Sequence, residues 1–225
     1  MTFPLGSLRG DGVQPPLRDP AAPHAPHWRE QVALLVGAVA WLLALLALAT
    51  HSAADPGFST SGDGTSIHNR IGVVGAWLSD AAFFFAGYSV WWAIVVGARA
   101  WLGALARALR ASAIVPPGPQ GATRPACSVW LGLALLLAAS ASLEWTRLYQ
   151  WEAQVAGGHA GGVLGYVLGR ASQGLLGFAG SGVLWIAVLV AAAPLALRFS
   201  WLRVADAIGA GLESLRTRRA ERAER

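Results

Sequence analysis

An all-α integral membrane fold with four transmembrane helices and both termini cytoplasmic follows from three observations. Hydrophobic residues make up 55% of the 225-residue chain and charged residues only 13%, against about a quarter charged in soluble domains. Four apolar runs are long enough to cross a bilayer. The arginines fall in alternate segments between those runs. All 17 basic residues are arginine, so their positions say more than the net charge of +5. Cys127 is the single cysteine, which excludes an intrachain disulfide and a cysteine-based metal cage.

Residues 1–28 hold Pro4, Pro15, Pro16, Pro20, Pro23 and Pro26. With little apolar surface to offset ordering, they read as a flexible cytoplasmic tail. The membrane domain is expected over 29–212, with spans at about 32–50, 74–98, 128–145 and 175–197. The first, Val32 to Thr50, is roughly 28 Å long as a helix and matches a bilayer core. Ala47-Leu48-Ala49 imitates a signal-peptide cleavage site. The apolar region is longer than a signal core, however, and an uncleaved span is the better reading.

A polar stretch follows, DPGFSTSGDGTSIHNRIG, and it enters the second span through Gly75-Ala76-Trp77-Leu78-Ser79-Asp80. Asp80 lies about 9 Å inside that span, where an ionisable group needs a partner or a function. Asp80 and Glu144 are read as capping helix ends, or as pairing with Arg70 or Arg147 at the outer rim. Beyond the second span, Trp101, Leu102, Leu105 and Leu109 suggest a short amphipathic surface helix. Pro116, Pro117, Gly118 and Pro119 then make an irregular connector.

The third span is short unless it borrows Glu144 and Trp145. After it, Gly157, Gly161, Gly165 and Gly169 recur every four residues, forming one smooth stripe on a helix. That segment is about 20 Å long, too short to span, and reads as a Gly-rich interfacial helix in the second outer loop. The stripe suits packing within the bundle and contact with a partner equally well. Pro194 falls near the end of the fourth span, where a kink is tolerated. Trp201, Val204, Ala205, Ile208, Leu212 and Leu215 then repeat at helical spacing, and residues 213–225 end in Arg216, Arg218, Arg219, Arg222 and Arg225. This is a basic amphipathic helix suited to an anionic inner leaflet.

Orientation comes from counting arginines. Segments before span one, between spans two and three, and after span four hold fourteen; Arg70, Arg147 and Arg170 are the remaining three. Basic segments stay cytoplasmic, so both intervening loops lie outside.

Several chemistries are excluded. A phosphate-binding GxxxxGK[ST] loop requires a lysine, and the chain has none. There is no HExxH, GxSxG or CxxC. His24, His27, His51, His68 and His159 are scattered without ligand spacing, so no metal or cofactor is expected.

Four features in chain order carry a resemblance: the Asp55-Pro56-Gly57-Phe58-Ser59 loop with His68-Asn69; Gly75 to Asp80; Gly161-Gly162-Val163-Leu164-Gly165; and Phe199-Ser200-Trp201-Leu202. Together with four spans, they resemble the N-terminal membrane domain of the FtsK/SpoIIIE DNA translocase family over about residues 30–212. The resemblance implies a bacterial inner-membrane anchor at the division septum that contacts division-machinery proteins and lipids. It also implies self-association, as hexamers. The family's linker and RecA-like ATPase motor do not lie in these residues, so neither ATP hydrolysis nor direct nucleic-acid contact is expected of them. The candidate interaction residues are Asp55, His68, Asn69, Gly75, Trp77, Asp80, Gly157, Gly161, Gly165 and Gly169. A small four-span transporter or channel using Asp80 is the alternative; a membrane-embedded enzyme would need converging catalytic groups.

Overall fold

A computed structural model describes residues 28–64, 66–112, 126–148 and 160–223. The proline-rich tail, the proline connector, Gly157 and His159 lie outside the described residues. Among those described there are six α-helices and no strand: α1 Trp28–Ala49, α2 Gly72–Ala86, α3 Trp91–Ser112, α4 Ala126–Leu148, α5 Gly162–Leu197 and α6 Trp201–Ala223. A 3-10 turn, Gly87–Val90, joins α2 to α3. Four stretches are long and apolar enough to cross a membrane: Trp28–Ala49, Gly72–Arg110, Cys127–Leu148 and Gly162–Leu197.

The second span differs from the sequence expectation in two respects. It does not end near Ala98 with a separate amphipathic helix beyond it. Instead α3 continues to Ser112. No proline interrupts residues 98–110, and alanine, leucine and arginine, all strong helix formers, dominate them. The break comes earlier, at Gly87, whose φ of 58° ends α2. The Gly-rich helix and the fourth span are two helical segments that meet at a kink. Both belong to α5, divided at Gly177 (φ 67°, ψ −179°), a conformation open essentially to glycine alone. The break within α5 therefore lies at Gly177, with Pro194 inside the helical part. The third span does borrow Glu144 and Trp145, since α4 runs through to Leu148.

Between helices in lipid, apolar burial has little driving force, and close packing and hydrogen bonds decide association. The α3–α4–α5 contact is built that way. Val96, Leu136, Ala192, Ala193 and Ala196 are buried together, with Trp92, Leu133 and Leu189 around them. Gly132 of α4 meets the backbone of Leu195 and Ala196 with no room for a Cβ. At the end of α5, Arg99 Nε donates to the Leu197 carbonyl, filling an acceptor that the helix terminus leaves open.

The α1 helix packs more loosely. Leu48 joins Phe83, Val90 and Ile94 in a second cluster, while Leu35, Val36, Val39, Leu42 and Leu43 face outward. Two tryptophans tie it to α3: Trp41 Nε1 donates to Ile94 O, and Trp101 Nε1 donates to Leu34 O, each at 2.8 Å. Trp92 bonds Ser140 and Trp185 bonds Ser172 in the same manner. Much of the tryptophan content is thus committed to hydrogen bonding within the bundle. Trp101→Phe keeps a six-membered aromatic ring and removes the donor. It is expected to lower resistance to SDS unfolding in mixed micelles by roughly 0.6 kcal/mol, the average worth of such bonds in membranes, and Trp41→Phe by a similar amount.

Candidate functional site

The polar stretch between α1 and α2 folds into a compact cap. Asp55 N–H donates to Ser52 O, Asp63 N–H to Ala54 O and Gly57 N–H to Thr60 O. The Thr60 hydroxyl donates to Asp55 O. This internal bonding satisfies the turn backbone, which is why a Gly/Ser/Thr-rich segment can close on itself.

Buried carboxylates fasten the cap to the helices. Asp55, 2% exposed, accepts from the backbone N–H groups of His68 and Asn69, each at 2.7 Å, and from His68 Nδ1 at 2.9 Å. It thereby closes the two ends of the loop onto each other. Asn69 is buried as well. Its side-chain amide donates to Ala47 O at the end of α1, and its Oδ1 accepts from Ile71 N–H at the start of α2. Gly75 lies directly beneath Asn69, where a Cβ would meet Oδ1.

Asp80, 3% exposed, accepts from Ser59 N–H at 2.5 Å and from the Ser59 hydroxyl at 2.9–3.0 Å. Gly57 passes so close that any side chain there would strike the carboxylate. Arg70, one of the partners expected from sequence, is not what holds Asp80. A loop amide and hydroxyl do so, since oriented N–H and O–H dipoles neutralise a buried carboxylate without desolvating a second ion.

A third carboxylate repeats the pattern. Glu144 of α4 accepts from the Ser89 hydroxyl, from Gly161 N–H at 3.1 Å, and from the Tyr88 and Ser89 backbone amides. Those last two amides are freed where the helix breaks at 87–90. Arg147, one of the two arginines considered as partners for these carboxylates, instead donates to Phe178 O at 3.0 Å and lies over the Phe178 ring. It thus secures the chain just past the Gly177 break.

The glycine stripe meets α4. Cβ atoms on Gly161 and Gly165 would collide with the Ala141 carbonyl, and one on Gly169 with the Trp145 ring. Gly161 also needs its φ of 72°. Trp77 stands apart from the polar network. It is half-exposed and meets Phe58 edge-on at 5.5 Å, within a cluster that includes Phe84 and Phe85.

His51 and Ser79 carry no sequence signal that marks them as a pair. His51 Nδ1 lies 3.1 Å from the Ser79 hydroxyl, which itself donates to Ala76 O. His51 Nε2 is buried without a hydrogen-bond partner among the described residues. The ring lies against Phe83. Burial holds the His51 imidazole below its ordinary pKa, against the opposing pull of Asp80 and Asp55. Burial pushes the Asp55 carboxyl up, but the His68 amide and ring and the Asn69 amide outweigh it and hold Asp55 below its ordinary value. A lone histidine at a helix end has no pattern that would flag it.

Both depressed groups make the cap acid-sensitive. The unfolded chain takes up a proton before folded His51 does, so its contribution is complete above about pH 6.5 and is lost as pH falls through the lower folded value. Asp55 contributes fully above about pH 4 and loses its contribution as pH falls through its own lower value. Amide-exchange protection at Ser59 and Asn69 is expected to be flat above neutrality and to weaken on acidification below about pH 6.5. His51→Phe should remove the first of these steps and leave the second.

A bundle of four membrane-crossing stretches, capped at one end by a loop tied down through carboxylates, defines a multi-pass membrane domain. No group of three or more metal-ligating side chains converges among the described residues. The family model for the 4TM region of DNA translocase FtsK/SpoIIIE matches residues 27–209, and the chain belongs to that family. It is 34% identical over 207 residues to DNA translocase FtsK 2 of Ralstonia nicotianae, covering 87% of this chain and 26% of that protein. It is 30% identical to a DNA translocase FtsK of Pseudomonas syringae, covering 84% and 24%. Against a DNA translocase FtsK of Shewanella oneidensis it is 31% identical, covering 73% and 17%. The chain thus spans about a quarter or less of the length of these relatives. No solved structure matches it. The protein is a multi-pass protein of the bacterial inner membrane.

Proposed function

We propose that this chain is the membrane-anchoring and division-machinery interaction domain of an FtsK-like DNA translocase, acting in cell division and its coordination with chromosome segregation. The observation that carries the reading is the family match across residues 27–209, on a chain whose four apolar stretches account for that region. Anchoring needs no catalytic group: tethering raises the local concentration of a motor and sets its orientation. Asp80, the residue on which a transport reading would rest, has its carboxylate engaged by Ser59.

The arginine distribution supports placing both termini in the cytoplasm and the cap outside. In that orientation the cap and the Gly161 end of α5 are the surfaces offered to division proteins, and further copies of the chain assemble around the motor. The test is a fluorescent fusion in dividing cells of a strain lacking its native copy. The expected result is a band at mid-cell that coincides with constriction. Uniform labelling of the cell periphery would overturn the proposal.

A further inference from the structure

The apolar face of α6, the helix whose sequence suits an anionic leaflet, is left uncovered by the rest of the chain among the described residues. Every residue of the helix whose side chain is described is exposed, including Trp201, Leu202, Val204, Ile208 and Leu212. Ile208 is 60% exposed and Leu212 is 58% exposed, and a contiguous apolar face of this kind marks a contact surface. Trp201, Val204, Ala205, Ile208 and Leu212 follow i, i+3/i+4 spacing and form that face. Arg203, Asp206 and Glu213 fall elsewhere around the helix.

The position of α6 is set at the membrane. Arg198 adopts a left-handed conformation (φ 52°) and ends α5. Trp201 then turns back, its Nε1 donating to Val190 O inside the spanning helix at 3.0 Å. Phe199 packs edge-on against the same ring at 4.8 Å. The apolar face of α6 therefore begins alongside the last turns of a membrane span, continuous with the surface that lipid already covers. The charge balance fits a lipid partner too. Residues 198–225 carry seven arginines and four acidic residues, and arginine clusters beside a span favour anionic headgroups.

We propose that α6 is a membrane-surface helix: its apolar face enters the headgroup–acyl boundary of the anionic inner leaflet, and its arginines pair with lipid phosphates. The consequence is a chain that leaves the bundle along the membrane rather than away from it. The inner-leaflet assignment rests on the cytoplasmic placement given under Proposed function. A second copy of α6 is the less favoured occupant, because side-by-side copies would bring their arginines together.

The test uses the full chain with Cys127→Ser and a single spin-labelled cysteine at Asp206, Ile208 or Leu212, in nanodiscs of phosphatidylcholine alone or mixed with phosphatidylglycerol. In the anionic discs, labels at 208 and 212 should collide with oxygen and be shielded from a water-soluble nickel chelate, with the reverse at 206. Each arginine near an anionic surface shifts the docked-to-free ratio about fivefold. The contrast should therefore shrink in neutral discs and on changing Arg216, Arg218, Arg219 and Arg222 to glutamine. Equal nickel access at all three positions in anionic discs would overturn the proposal, as would a contrast indifferent to lipid charge. Strong coupling between Leu212→Cys labels of separate copies would overturn it in favour of a helix–helix contact. Labelling of Asp206→Cys from outside intact cells by an impermeant maleimide would instead overturn the sidedness, a failure the nanodisc result distinguishes.

Discussion

Replacing Asp80 with alanine is expected to release the cap from α2 and lower unfolding stability by about 2 kcal/mol, the worth of hydrogen bonds to a buried carboxylate, with water able to reach the exposed Ser59 donors and offset part of the loss. Ser59 supplies both a backbone N–H and a hydroxyl to this carboxylate, at a site where Asp80 is only 3% exposed. Asp80→Asn should cost less than alanine, because one oxygen remains to accept while the new NH2 group faces a donor. Asp80→Glu should not restore the parent, because Gly57 crosses directly over the carboxylate and leaves no room for another methylene. SDS unfolding in mixed micelles reads the stability, and amide exchange at Ser59 reads the cap itself. An alanine variant with parental protection at Ser59 would show that the carboxylate does not pin the loop.

The second large effect is expected at the α4–α5 crossing. Gly161→Val should cost about 3 kcal/mol or more, combining overpacking against a fixed backbone with the strain of a side chain at positive φ. The Ala141 carbonyl is the obstacle, and it cannot move without displacing α4. Gly165→Val meets the same carbonyl without the φ strain and should cost somewhat less. Gly174 is the internal control. It sits in the same helix with nothing within 4 Å of a built Cβ. Gly174→Ala should therefore be neutral or mildly stabilising, because alanine restrains the unfolded chain. Equal damage at positions 165 and 174 would mean that the close crossing with α4 does not set the cost of a side chain in this helix.

These two sites differ in how far they could be read from the chain. The four spans were legible because a bilayer demands long apolar runs regardless of what packs on them. Asp80 stood out because a carboxylate inside such a run requires a partner. Its partner was not legible: Ser59 is one of many Ser and Thr residues in that loop, and an arginine was the simpler expectation. Glu144 was visible for the same reason as Asp80, but its role depends on amides freed by a helix break at 87–90 that nothing in GYSV announces.

The glycine repeat shows the same division. Its four-residue period said that a helix would present a smooth stripe, and left open whether a neighbour within the bundle or another protein would fill it. The crossing with α4 at Gly161, Gly165 and Gly169 places an intrachain neighbour there. His51 was silent altogether, since its partner Ser79 lies 28 positions away.

Hydrophobic length, charge asymmetry and glycine spacing are properties of contiguous chain, and they settled that this protein is a four-span helical membrane domain. Which groups neutralise its buried carboxylates, where its long helices break and which face of each is covered were decided in three dimensions. Hydrogen-bond partners and close backbone approaches depend on the meeting of distant segments, and inside a membrane, where apolar contact discriminates little, those meetings determine how the helices associate.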